Sequence, residues 1–157
     1  MAKIYSLKAG TKIPDGIIAI AKKEKIATAR VEAIGGVEEL RLAYFNRETR
    51  HYEEHDFREF LEVTGILGNL TLKEGKPFLH IHGTFGRKDL STLAGHVMTA
   101  KVFPLLELVV TPTRNRALRR FDDDLGLNVI FRTQPTSTRY AWPRRRSRHA
   151  PAVSLIP

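Results

Sequence analysis

Alternation is the feature that most constrains how this chain can fold. From residue 28 onward, Ala29, Val31 and Ala33 alternate with Arg30, Glu32 and Ile34, and Leu40, Leu42 and Tyr44 resume the pattern. A period of two sorts side chains onto the two faces of a pleated strand, so this stretch reads as β-structure. Asn46-Arg47-Glu48-Thr49 reads as a hairpin turn, with Arg50–Asp56 as the returning strand. Phe60–Leu72 is apolar but carries Gly65 and Gly68, which suggests a bulged strand or a close backbone approach. Lys73-Glu74-Gly75-Lys76-Pro77 is the clearest turn. Phe78–Phe85 follows as a strand, then a polar loop over Gly86–Leu90. Gly95–Phe103 and Leu105–Thr111 read as two strands broken at Pro104, which has no N–H for a ladder.

The segment before residue 28 has a different period. Ile4–Leu7 is a short opening strand, and Lys8-Ala9-Gly10 turns the chain. Ile17, Ile20 and Ala21 share one helical face, Asp15 is placed to cap the N-terminus, and Lys22 and Lys23 suit the C-terminal end of the dipole. A helix is expected over about residues 15–25. Arg114–Arg120 reads as a second short helix, Asp122-Asp123-Asp124 as a turn, and Leu127–Phe131 as a last strand. The sum is an α+β domain: a mainly antiparallel sheet of about seven strands with a flanking N-terminal helix, in a single domain over residues 1–131.

Beyond residue 131 the pattern stops, and Pro135, Pro143, Pro151 and Pro157 interrupt what remains. The net charge of +9 divides unevenly: residues 1–131 carry 20 Lys and Arg against 17 acids, a balance of +3, whereas residues 132–157 carry six Arg and no acid, a balance of +6. Residues 132–157 therefore read as a basic, Pro- and Arg-rich tail suited to a polyanion, with Arg144, Arg145, Arg146 and Arg148 as candidate phosphate contacts and Tyr140 and Trp142 placed to stack on bases. The competing reading is a solvated extension. The chain has no cysteine, which excludes disulfides and thiolate ligands. No apolar run reaches the roughly 20 residues of a membrane span, and the N-terminus lacks a secretory pattern, so a cytoplasmic protein is expected.

The candidate site is a histidine trio. In Phe78-Leu79-His80-Ile81-His82-Gly83, the two histidines fall on one face of a strand while Leu79, Ile81 and Phe85 take the other. Imidazoles at that spacing can converge on one ion, and His96, at the start of another predicted strand, joins them if the two strands are neighbours. Three protein ligands with an open fourth position is the pattern of a catalytic zinc site, and the same donors suit iron, nickel or copper. Glu62 is the candidate fourth ligand, orienting group or general base. The competing reading makes these hydrogen-bonded histidines in a half-buried sheet. His51 and His55 lie four apart on a strand, which is not metal-binding geometry. No phosphate-binding loop, dinucleotide fingerprint or nucleophile elbow occurs.

Several of these segments occur together in a known order. Val31-Glu32-Ala33-Ile34-Gly35-Gly36-Val37, Tyr44-Phe45, Phe60-Leu61-Glu62-Val63, Gly68-Asn69, Lys76-Pro77-Phe78-Leu79-His80-Ile81-His82 and Gly95-His96-Val97 resemble the PPC domain family, the plants and prokaryotes conserved domain, over about residues 3–131. The resemblance implies a mainly antiparallel sheet with a flanking helix, a homotrimer, and a DNA-binding or regulatory scaffold. It also implies a divalent metal, zinc first and iron or nickel next, at His80, His82 and His96. The alternative is a metal-dependent enzyme or small-molecule sensor using the same site, and a third reading is an assembly module alone. The sequence departs from the family in two places. Leu93-Ala94-Gly95-His96 keeps only the second glycine of the usual Gly-Gly-His, and Pro143-Arg144-Arg145-Arg146-Ser147-Arg148 has the charge of an AT-hook without its Gly-Arg-Pro core. A trimer would present three such tails together, which raises avidity.

Overall fold

The computed structural model describes residues 1–135. Nine strands and one helix follow one another as β1 (Lys3–Lys8), β2 (Lys12–Ile13), α1 (Asp15–Lys23), β3 (Ala29–Asn46), β4 (His51–Phe57), β5 (Leu61–Lys73), β6 (Lys76–Gly86), β7 (Thr92–Pro112), β8 (Asn115–Asp122) and β9 (Leu127–Pro135). The expected helix-flanked, mainly antiparallel sheet is what forms.

Four strands close into a ring. β3 pairs with β7, β7 with β6, β6 with β5, and β5 returns to β3, every pairing antiparallel. Closure follows from strand length. The 18-residue β3 and 21-residue β7 are long enough to bend and serve several neighbours: β3 pairs with β4, β5 and β7, and β7 with β1, β2, β3 and β6. Gly35 supplies one bend: the β3–β5 register shifts between Ala33 and Gly35, and the glycine adopts a φ of 136°, which other residues rarely take. The inward set fills the ring, with Val31, Ala33, Val37, Ile66, Ile81, Phe85, Val102, Leu106 and Leu108 all buried. α1 lies against β6 and β2 and buries Ile17 and Ala21.

Three local expectations are corrected. Arg114–Arg120 is not a helix: Arg114 is a bend, and Asn115–Arg120 lies within β8, which joins β5 in parallel and β9 antiparallel. Its Ala, Leu and Arg residues are good helix formers, yet Ala117 and Arg119 alternate inward, and pairing on both sides overrides propensity. Pro104 does not divide a strand in two. It falls where the β3–β7 register jumps from Val102 to Leu106, a bulge at which a missing N–H costs no ladder bond. Asp15 does not cap α1. Pro14 holds the N-cap position without a side-chain bond, and Asp15 sits in the first turn, where its charge still favours the dipole. β9 runs to Pro135.

Two hairpins project from the ring. The β3–β4 and β8–β9 turns meet, so that a Cβ at Gly126 would lie 3.0 Å from the Arg50 carbonyl oxygen. This contact brings together strands from opposite ends of the sheet order, and the face between them holds the histidines.

Candidate metal centre

His80 and His82 occupy alternate positions of β6, facing away from the buried Ile81, Gly83 and Phe85. Register then brings in His96, which pairs directly with His82 across the β6–β7 ladder. The three ring centroids lie 5.1–5.2 Å apart. One ring nitrogen from each histidine falls within 4.8 Å of the others, the one such trio of His, Cys, Asp or Glu among the described residues.

Burial sets the electrostatics. It pulls both His80 and His96 down from the ordinary 6.5 to about 4. At His80 the Arg119 charge and then His82 add to the effect, and at His96 the other two histidines do. Both rings are therefore neutral near pH 7, the form that binds metal.

Arg119 and Tyr52 frame the trio. Arg119, on β8, is buried and donates from Nε to Thr71 Oγ1 at 3.0 Å, from NH2 to Asn69 Oδ1 at 2.9 Å and to His80 Nδ1 at 3.3 Å, and from NH1 to the Asn128 carbonyl. Its guanidinium also stacks over Phe78, 5.2 Å from the ring centroid. Tyr52, on β4, packs on His96 with centroids 4.9 Å apart. Burial raises the Tyr52 phenol, and the Arg119 charge partly opposes that rise.

Because a guanidinium only donates, the Arg119 contact makes His80 Nδ1 an acceptor. In the metal-free protein the neutral His80 ring then carries its proton on Nε2, which lies 3.2 Å from His82 Nε2. That separation also fits a metal. At zinc–nitrogen bonds of about 2.0–2.1 Å, two tetrahedral ligands stand roughly 3.3 Å apart. The His96 Nδ1 is buried with no hydrogen-bond partner, a polar atom left to be satisfied by something not supplied by the described residues. The donor set fits a divalent metal with affinity for imidazole.

The other expected residues separate. Glu62 is exposed and pairs with Gly86 and Gly36, five residues along β5 from Leu67, the partner of His82. At about 3.3 Å per residue it is some 16 Å from the trio along the strand, too far to serve as ligand, orienting group or base. Arg144, Arg145, Arg146 and Arg148, with Tyr140 and Trp142, lie outside the described residues. Arg119 and Tyr52 were missed by the reading of the sequence. The available signal was the alternation of Ala117 and Arg119, which as a strand turns the arginine inward.

The profile of the Plants and Prokaryotes Conserved (PCC) domain matches residues 3–114. The chain belongs to this family. No curated protein sequence matches it. Among solved structures, it is similar to a candidate DNA-binding protein from Bacteroides thetaiotaomicron, with 35% identity and a TM-score of 0.78 over 82% of this chain and 90% of that one. It is similar to a metal-containing protein from Archaeoglobus fulgidus, with 28% identity and a TM-score of 0.79 over 84% of this chain and 94% of that one. A plant- and prokaryote-conserved protein from Pyrococcus horikoshii shares the fold at 24% identity and a TM-score of 0.78, over 84% and 92% of the two chains. No helix among the described residues of this PCC-family protein is long and apolar enough to cross a membrane.

Proposed function

We propose that this PCC-family protein binds one divalent metal, zinc first, through His80, His82 and His96, and uses it in a regulatory or sensing role on DNA. The observation that carries the metal reading is the convergence of the trio: one ring nitrogen from each histidine within 4.8 Å of the others, with the His80 and His82 Nε2 atoms at 3.2 Å. The metal-containing Archaeoglobus relative supports it. A bound ion would supply a Lewis acid with a position open to water or a ligand, which suits a sensor or a metal-dependent enzyme.

The DNA part rests on a separate observation. The six arginines and no acids of residues 132–157 give a polyanion-binding charge, and the similar Bacteroides structure is that of a candidate DNA-binding protein. Assembly as a homotrimer is part of the proposal. Exposed Ile34, Leu67, Phe103 and Leu105 on the sheet, with Phe60 just before β5, support burial against further copies. Sedimentation analysis of the full chain tests it, with a monomer counting against it.

Elemental mass spectrometry of untagged protein, set against a His80→Ala/His82→Ala variant, tests the metal reading. About one ion per chain in the parent, lost in the variant, is expected. No metal, and none taken up on adding zinc, nickel or iron, would return the trio to a structural role.

A further inference from the structure

Arg119 carries a charge that nothing around it neutralises. It is 8% exposed, and its partners are a hydroxyl, an amide oxygen, a carbonyl and an imidazole. No carboxylate among the described residues pairs with it. Buried guanidinium groups are ordinarily paired, because an isolated charge loses its solvation by water.

The surroundings sharpen the point. The trio contains no acidic ligand, so a divalent ion held by three neutral imidazoles would add two positive charges beside Arg119. A metal-bound histidine usually donates its outer N–H to an acceptor. His80 instead presents its outer nitrogen to a donor. A neutral ring ligating through Nε2 has its proton on Nδ1, where it cannot accept from Arg119. Loading the site therefore leaves an Arg119 N–H without its partner, next to an added dication.

We propose that the metal-loaded site takes a small carboxylate as its ligand, with Arg119 binding the anion beside the metal. The inference rests on the metal reading above. A small carboxylate would accept from the Arg119 N–H that loading leaves without its partner, at a site flanked by aromatic rings, Phe78 against Arg119 and Tyr52 against His96. This assigns the site a substrate or effector class: small organic acids.

The test uses the full chain loaded with cobalt(II), whose visible absorption reports changes at the metal. Acetate is the carboxylate probe and inorganic phosphate the competing one. Acetate is expected to shift the cobalt bands at lower concentration than phosphate does. Measured at saturating cobalt, Arg119→Gln is expected to weaken acetate by about tenfold or more, since charge-assisted bonds to arginine are among the strong ones. Arg119→Lys, which keeps the charge and loses the fork, covers the case in which the glutamine variant does not fold, and it should weaken acetate by about threefold or more. Unchanged acetate affinity in a folded, cobalt-loaded variant overturns the assignment of Arg119. Tighter binding of phosphate than of acetate overturns the carboxylate class. Failure of the parent to bind cobalt or zinc at all overturns the metal reading itself, a result distinct from the other two.

Discussion

His82 and His96 are direct partners in the β6–β7 ladder, and their rings meet edge to face with centroids 5.2 Å apart. The pairing brings His96 to two neighbours on one strand and makes a three-sided cluster. His96→Ala is accordingly expected to weaken zinc by about 100-fold or more, since even outer partners of ligands are worth 10–100-fold. Competition with a chromophoric chelator measures this, and parent-like affinity in the variant would remove His96 from the ligand set.

Gly68 couples fold to site. A Cβ there would lie 2.0 Å from the His80 carbonyl oxygen and 2.8 Å from the Ile81 Cα, both backbone atoms that cannot step aside. Gly68→Ala is expected to cost about 1–3 kcal/mol and to weaken metal binding by displacing His80. At Gly65 a Cβ would meet nothing within 4 Å. Gly65→Ala should then stay within about 0.5 kcal/mol of the parent. Urea unfolding of the two variants separates the cases, and equal costs would contradict the close approach.

Acid should destabilise the metal-free protein through the two buried rings. The folded state holds His80 and His96 at about 4, against 6.5 in the unfolded chain, chiefly by burial. The unfolded state therefore binds more protons below pH 6.5, so stability present above that pH is lost as pH falls from 6.5 through 4. Partial exposure of the rings reduces the effect to about 1–3 kcal/mol for the pair. Unfolding midpoints at pH 7 and pH 4.5 measure it, and a His80→Phe/His96→Phe variant should show a flatter profile.

Residues 136–157 carry five of the six tail arginines and begin just after β9 ends. Removing them leaves the described fold whole. Truncation after Pro135 is expected to abolish a salt-sensitive DNA mobility shift, or to flatten its log–log salt slope by about 4 per chain engaged. Replacing Arg144, Arg145, Arg146 and Arg148 by Gln should reproduce most of that loss. Unchanged DNA binding by the truncated protein would exclude the tail mechanism.

The strand pattern and half of the site were legible in the sequence. A period of two is a local property of the extended backbone, so β3, β4, β5 and β6 could be read residue by residue, and with them the placing of His80 and His82 on one face, away from Ile81 and Phe85. The helix over Asp15–Lys23 was legible for the same reason, with Ile17 and Ala21 recurring at helical spacing. The charge asymmetry of residues 132–157 needs no fold at all. Only the tertiary structure decided which strands become neighbours. Register placed His96 opposite His82 and carried Glu62 to the far end of β5. Pairing with β5 and β9 made a strand of the helix-forming run around Arg119 and turned that side chain onto His80. Contact between two distant hairpin turns accompanied the seating of Tyr52 on His96. Periodicity is set by sterics within a few residues, whereas register and ring closure are set by the burial of surfaces far apart in the chain, and no local pattern carries that information.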